Sequence, residues 1–202
     1  MSAIIYFDGG ISFPSHTKSK NTLSKVSWGI VFHTNDNTIE HSGCIEYGCG
    51  SGTISYHELI ALFESVQLVY INGLLPDECS FFTDDRTIAS AGFHLHEANG
   101  STKMRRSILA QLSAVANIFY KHIPNILDVV IEYLLESRFT KVKSHMGVVY
   151  NCRADYLVRQ ARTNKPLMDL DTWMRSFCKS NSDSINPWTN QPLVLGGAFY
   201  DQ

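Results

Sequence analysis

What most constrains this chain is a change of hydrophobic period partway along it. The early part reads as strand-like runs: AIIYFD from Ala3, VSWGIVFH from Val26, and the stretch from Thr38 to Tyr47, with a turn at Asn35 to Asn37 between the last two. Short apolar runs joined by turn residues predict an antiparallel meander. Gly9 and Gly10 are expected to end the first run, and Ile11 to Lys25, rich in Ser, Thr, Lys and Asn and containing Pro14, reads as a loop. Past the Gly-rich connection at Gly48 to Gly52, Leu59, Leu62, Phe63, Val66, Val69 and Tyr70 recur at three- and four-residue steps. That is the apolar stripe of one helix, ending near Asn72 and Gly73, with Ser55 as its expected N-cap.

A strand entered after a helix is free to run parallel to the first, and CSFFTD, ending at Asp84, fits that position. A short helix over Arg86 to Phe93 and a loop over His94 to Ser101 follow. Met104, Ile108, Leu112, Val115 and Phe119 form a second helical stripe, and Pro124 separates it from an apolar helix over about Asn125 to Glu136. RFTKVK from Arg138 reads as a fifth strand, SHMGVVY as a loop, and Asn151 to Arg162 as a helix capped by Asn151. The order predicts an α/β fold: a mixed five-stranded sheet, three strands antiparallel and two parallel, flanked by helices.

At 202 residues the chain has room for one domain with a real core. An apolar content of 44% with 18% charged residues excludes a disordered or fibrous class. No apolar stretch approaches the ~20 residues that span a bilayer, and the first residues lack a signal-peptide pattern, so the expectation is a cytoplasmic protein without a membrane partner. The five cysteines show no CxxC spacing, which argues for reduced thiols rather than a disulfide framework or a zinc site. The net charge of −2 hides a local excess: seven Lys or Arg against one acid between Arg138 and Lys165, a candidate phosphate-facing surface.

Four acids sit at element boundaries: Asp8, Glu58, Asp84 and Asp155, with His145 ten residues before the last. If they converge, their repulsion must be answered by divalent cations or by protons. Each has a simpler reading. Asp8 before Gly9 could start a turn, Glu58 could serve a capping box with Ser55, and Asp155 between Arg153 and Arg159 could belong to a surface ion pair. Asp84 and Asp85 point to opposite sides of a strand, so only one of them is expected to face a site.

The stretches IIYFDGG, SYHELIAL, FFTDD and KVKSHMGVVYNCRAD resemble, in order, the four signature blocks of type 1 ribonuclease H, over about Ala3 to Arg162. The resemblance implies the family's β-β-β-α-β-α-β-α plan, with Asp8, Glu58, Asp84 and Asp155 as metal-binding carboxylates and His145 as the histidine that assists water activation or product release. It implies cleavage of the RNA strand of an RNA·DNA hybrid, leaving 3′-hydroxyl and 5′-phosphate ends. Two-metal hydrolysis places two cations about 3.5–4 Å apart across one phosphorus. Oxygen donors suit two Mg²⁺ ions, and Mn²⁺ can substitute.

The same resemblance makes Gly9, Gly10, Ser55, Arg86, Lys143 and Asn151 the candidates for substrate contact. The sequence departs from the family in its long GGISFPSHTKSKN segment, in Ile54 where relatives commonly place a polar reader of the 2′-hydroxyl, and in a sparse basic protrusion between Phe93 and Ser107. Weak hybrid affinity and relaxed RNA/DNA discrimination are the expected consequences. Two other classes stay open: a different nuclease of the same fold, acting in DNA strand transfer or junction resolution, and a module that binds hybrids without cutting. Residues 1–165 are expected to form the catalytic domain. Residues 166–202, with a possible short helix around Asp169 to Lys179, are expected to be an extension packed on it, or one docking a second copy or another protein.

Overall fold

The computed structural model describes residues 2–12, 24–35, 37–47, 56–96, 101–142 and 148–180. Five strands form one sheet in the order β3-β2-β1-β4-β5: β1 (Ala3–Ser12), β2 (Ser24–His33), β3 (Thr38–Tyr47), β4 (Cys79–Thr83) and β5 (Arg138–Lys141). β1, β2 and β3 pair antiparallel, while β4 runs parallel to β1 and β5 parallel to β4. The mixed sheet expected from the sequence is the one found.

Alternation along β1 assigns the two faces. Ala3, Ile5 and Phe7 join the larger core beneath α1 (Tyr56–Ile71), α4 (Thr102–Phe119) and α5 (Ile126–Glu136). Tyr6 points the other way, with Val31, onto Tyr150, Ala154 and Leu157 of α6 (Val149–Thr163). A last helix, α7 (Leu170–Ser180), lies on α6 through Leu170, Trp173, Met174 and Phe177, an apolar stripe at three- and four-residue spacing. The Asp169 carboxylate caps α7 by accepting from the Thr172 amide at 2.9 Å. No helix among the described residues is long and apolar enough to cross a membrane.

The structure corrects several expectations. β1 does not stop at Asp8; it continues through Gly9 and Gly10 to Ser12, still paired with β2, so Ile11, Ser12, Ser24 and Lys25 are strand rather than loop. The glycines admit neighbouring helices instead of breaking the strand. A Cβ at Gly9 would lie 2.3 Å from the His57 carbonyl at the start of α1, and one at Gly10 would lie 2.5 Å from Val158 of α6. Asn151 does not cap α6, which begins two residues earlier with Val148 at the cap position; Asn151 is buried in the helix.

The expected helix after Asp84 is two short ones, α2 (Arg86–Ala89) and α3 (Ala91–Leu95), meeting at Ser90, and α3 extends over residues expected in the following loop. α5 begins at Ile126, because Asn125 takes a left-handed conformation at φ 58°. Cys44 and Cys79 are free thiols, with Cys79 buried and Cys44 partly so.

Candidate metal centre

Asp8 and Asp84 are brought together by the register of the two central parallel strands. Tyr6 pairs with Phe82 and stacks on it at 4.7 Å between ring centroids, and the acids lie two residues further along each strand on the same side. Glu58 arrives in the first turn of α1, whose start is pressed onto β1 at Gly9. The three side chains offer oxygens within 4.8 Å of one another. Asp155 comes from α6. Gly29, the partner of Asp8 on β2, lets the α6 backbone descend there: a Cβ on Gly29 would lie 2.3 Å from the Ala154 carbonyl. Asp155 thereby comes near enough for its charge to act on Asp8, although it stands outside the group of three.

The electrostatics are those of uncompensated acids. Burial pushes the Asp8 carboxyl up to about 7, with Asp84 and Asp155 adding to the rise and hydrogen bonds to the Gly9 backbone and Glu58 opposing it. Burial likewise raises Glu58 well above the usual carboxylate range, followed by the charges of Asp8, Asp84 and Asp85. Glu58 Oε2 is buried without a hydrogen-bond partner among the described residues. Three hard oxygen donors at this spacing, one of them an orphaned buried acceptor, fit a divalent cation of the Mg²⁺ or Mn²⁺ type.

The two adjacent acids after β4 divide as the alternation requires. Asp84 faces the cluster, while the Asp85 carboxylate accepts from the Ile88 amide at 2.8 Å and caps α2. Asp155 keeps both of its readings, because Arg159 donates to its Oδ2 while its charge reaches Asp8. Arg86 is exposed at the first position of α2. Gly9 and Gly10 lie beside the acids on β1. Asn151 is 3% exposed, and its Oδ1 has no hydrogen-bond partner among the described residues. Ser55, Lys143 and His145 lie outside the described residues.

Two residues escaped the sequence reading. His57 sits next to Glu58, its Nε2 3.5 Å from Glu58 Oε1; burial lowers its pKa, with Asp85 and Asp84 pulling the other way. The only signal for it was its adjacency to a candidate ligand. Arg153, one of two arginines that could have offered Asp155 a surface ion pair, is fully buried and pairs with Glu40 of β3 through Nε at 2.6 Å and Nη2 at 2.7 Å. Its guanidinium also donates to the Met168 carbonyl and lies over the rings of Tyr156 and Trp173.

No protein-family model and no curated protein matches the chain. Among solved structures, the compost-derived LC11-RNase H1, determined in complex with an RNA/DNA hybrid, is similar at 19% identity over 81% of this chain and 98% of its own, with a TM-score of 0.50. An RNase H1 from the halophilic archaeon Halobacterium salinarum NRC-1 aligns at 17% identity over 81% of this chain and 99% of its own, with a TM-score of 0.45. The protease-reverse transcriptase of prototype foamy virus aligns at 17% identity over 83% of this chain and 21% of its own, with a TM-score of 0.48. The strand order, the mixed pairing and the first of these likenesses lead to one conclusion: the chain has a ribonuclease H-like fold.

Proposed function

We propose that this protein is a divalent-metal-dependent endonuclease that hydrolyses the RNA strand of RNA·DNA hybrids, leaving 3′-hydroxyl and 5′-phosphate ends. The observation that carries the reading is the convergence of Asp8, Glu58 and Asp84 to within 4.8 Å, with Asp155 adjacent, on this fold. When bound, a pair of Mg²⁺ ions, or Mn²⁺ in their place, supplies activation of the attacking water and stabilisation of the leaving 3′-oxygen.

The four carboxylates would hold those ions, and because burial and the neighbouring acids favour the protonated forms of Asp8 and Glu58, loading would displace protons. His145 serves water activation or product release. Gly9, Gly10, Ser55, Arg86, Lys143 and Asn151 are the proposed substrate contacts; Asn151, being buried, needs a local adjustment to reach a strand. Residues 1–165 form the catalytic unit in this reading, and 166–202 are an extension whose helix α7 packs on α6.

The test is cleavage of end-labelled hybrid, duplex DNA and duplex RNA with Mg²⁺, with EDTA, and with Asp8→Asn and Asp84→Asn. Mg²⁺-dependent cutting of the hybrid alone, lost in both variants, supports the proposal, whereas unchanged activity in both would remove it. Preferential cutting of DNA or branched junctions would move the protein to strand transfer or junction resolution. Binding of hybrid without cutting would make it a recognition module.

A further inference from the structure

Side chains at adjacent helix positions point roughly 100° apart and do not ordinarily face one another. His57 and Glu58 depart from that rule: Nε2 lies 3.5 Å from Oε1, and the two side chains are only 14% and 12% exposed. Both turn toward the strand ends. The cause is the seating of the first turn of α1, whose His57 carbonyl rests where Gly9 leaves room. His57 Nδ1 is buried with no hydrogen-bond partner among the described residues, so the nitrogen that meets another polar group is the one facing Glu58.

We propose that His57 is a positioning residue for Glu58: the imidazole Nε2–H holds Oε1 and aims the carboxylate at Asp8 and Asp84. This rests on reading the three acids as a metal centre. A glutamate has three rotatable bonds, and ordering it costs entropy that an unsupported ligand must recover from the metal. A donor behind the ligand removes that cost, which is why supporting hydrogen bonds influence metal affinity. A glutamine at this position keeps an N–H within similar reach, whereas a leucine fills similar space without a donor.

The experiment is Mn²⁺ calorimetry on the full chain as wild type, His57→Gln and His57→Leu, with metal-dependent hybrid cleavage measured alongside. His57→Leu is expected to weaken Mn²⁺ binding about 10-fold or more, while His57→Gln stays within about threefold of wild type. The half-saturating metal concentration should rise in His57→Leu with the KM for hybrid unchanged. Wild-type affinity in His57→Leu would overturn the proposal. So would a loss in His57→Gln as deep as in His57→Leu, because the ring would then act as a ligand or as filler. If His57→Leu does not fold, His57→Asn replaces it: its shorter amide should show the same loss, and wild-type affinity there is equally fatal. A wild type that takes up no Mn²⁺ removes the metal centre itself, a failure separate from any difference among the variants.

Discussion

Arg153 and Asp8 both carry charge into the interior, one on α6 and one on the strand that α6 covers, and their surroundings are opposite. Around Arg153 the charge meets groups that favour it: Glu40 accepts two hydrogen bonds, the Met168 carbonyl a third, and two aromatic rings lie against the guanidinium, although Nη1 is buried without a hydrogen-bond partner among the described residues. Around Asp8, every charged side chain acting on it among the described residues is another acid. A buried pair with good geometry can offset its own desolvation, but a cluster of like charges cannot. The first region has its counter-charge within the chain. The second is built at a cost to stability that either protons or a cation from outside can relieve.

The comparison can be broken in several places. The largest effect belongs to Arg153→Ala, which strands Glu40 and opens space beneath Trp173; about 3–5 kcal/mol of unfolding free energy should be lost, read by urea denaturation. A loss under 1 kcal/mol would mean the closed region contributes little. Asp84→Asn should do the reverse: hybrid cleavage falls about 10³-fold, the equivalent of several kcal/mol of charge stabilisation, while the variant melts above wild type in EDTA at pH 8. A variant that melts lower would show that the acids are not in conflict.

A smaller effect follows from protonation. Asp8 is raised from 3.8 to about 7, so the folded state holds the proton more tightly than the unfolded one. Its contribution to stability is full below the unfolded value and is lost as pH rises through about 7. In EDTA, wild type should therefore lose ground to Asp8→Asn between about pH 4 and pH 7, measured by paired thermal melts. Parallel curves would contradict the assignment. Arg159→Ala should matter least to stability, about 0.3–0.5 kcal/mol for an i,i+4 pair with a 57% exposed arginine.

The sequence made the open region more legible than the closed one, and the reason is physical. Asp8, Glu58 and Asp84 stand at or near changes of hydrophobic period, which can be read from one chain. The partners of Arg153 are set by tertiary approach: Glu40 is 113 residues away, and nothing local announces it. The same limit explains Gly9. Within its own segment a Gly-Gly pair reads as a breaker, but its role is to receive the start of α1, an element 47 residues further along that the local pattern cannot see. Asn151 follows the same limit, since a residue suited to capping lies two positions inside the helix and local sequence does not distinguish the two places.

The pairing of β1 with β4 has one further consequence. Because Ala3 is matched to Cys79 and Tyr6 to Phe82, the nearness of the acids at positions 8 and 84 is specified by counting along β1 and to one residue past the end of β4, not by any contact between the acids themselves. Deleting a single residue from β4 would turn Asp84 to the opposite face and bring Asp85 into its place. Arithmetic along the backbone thus brings the acids together, and the sheet itself is the ruler by which they are spaced.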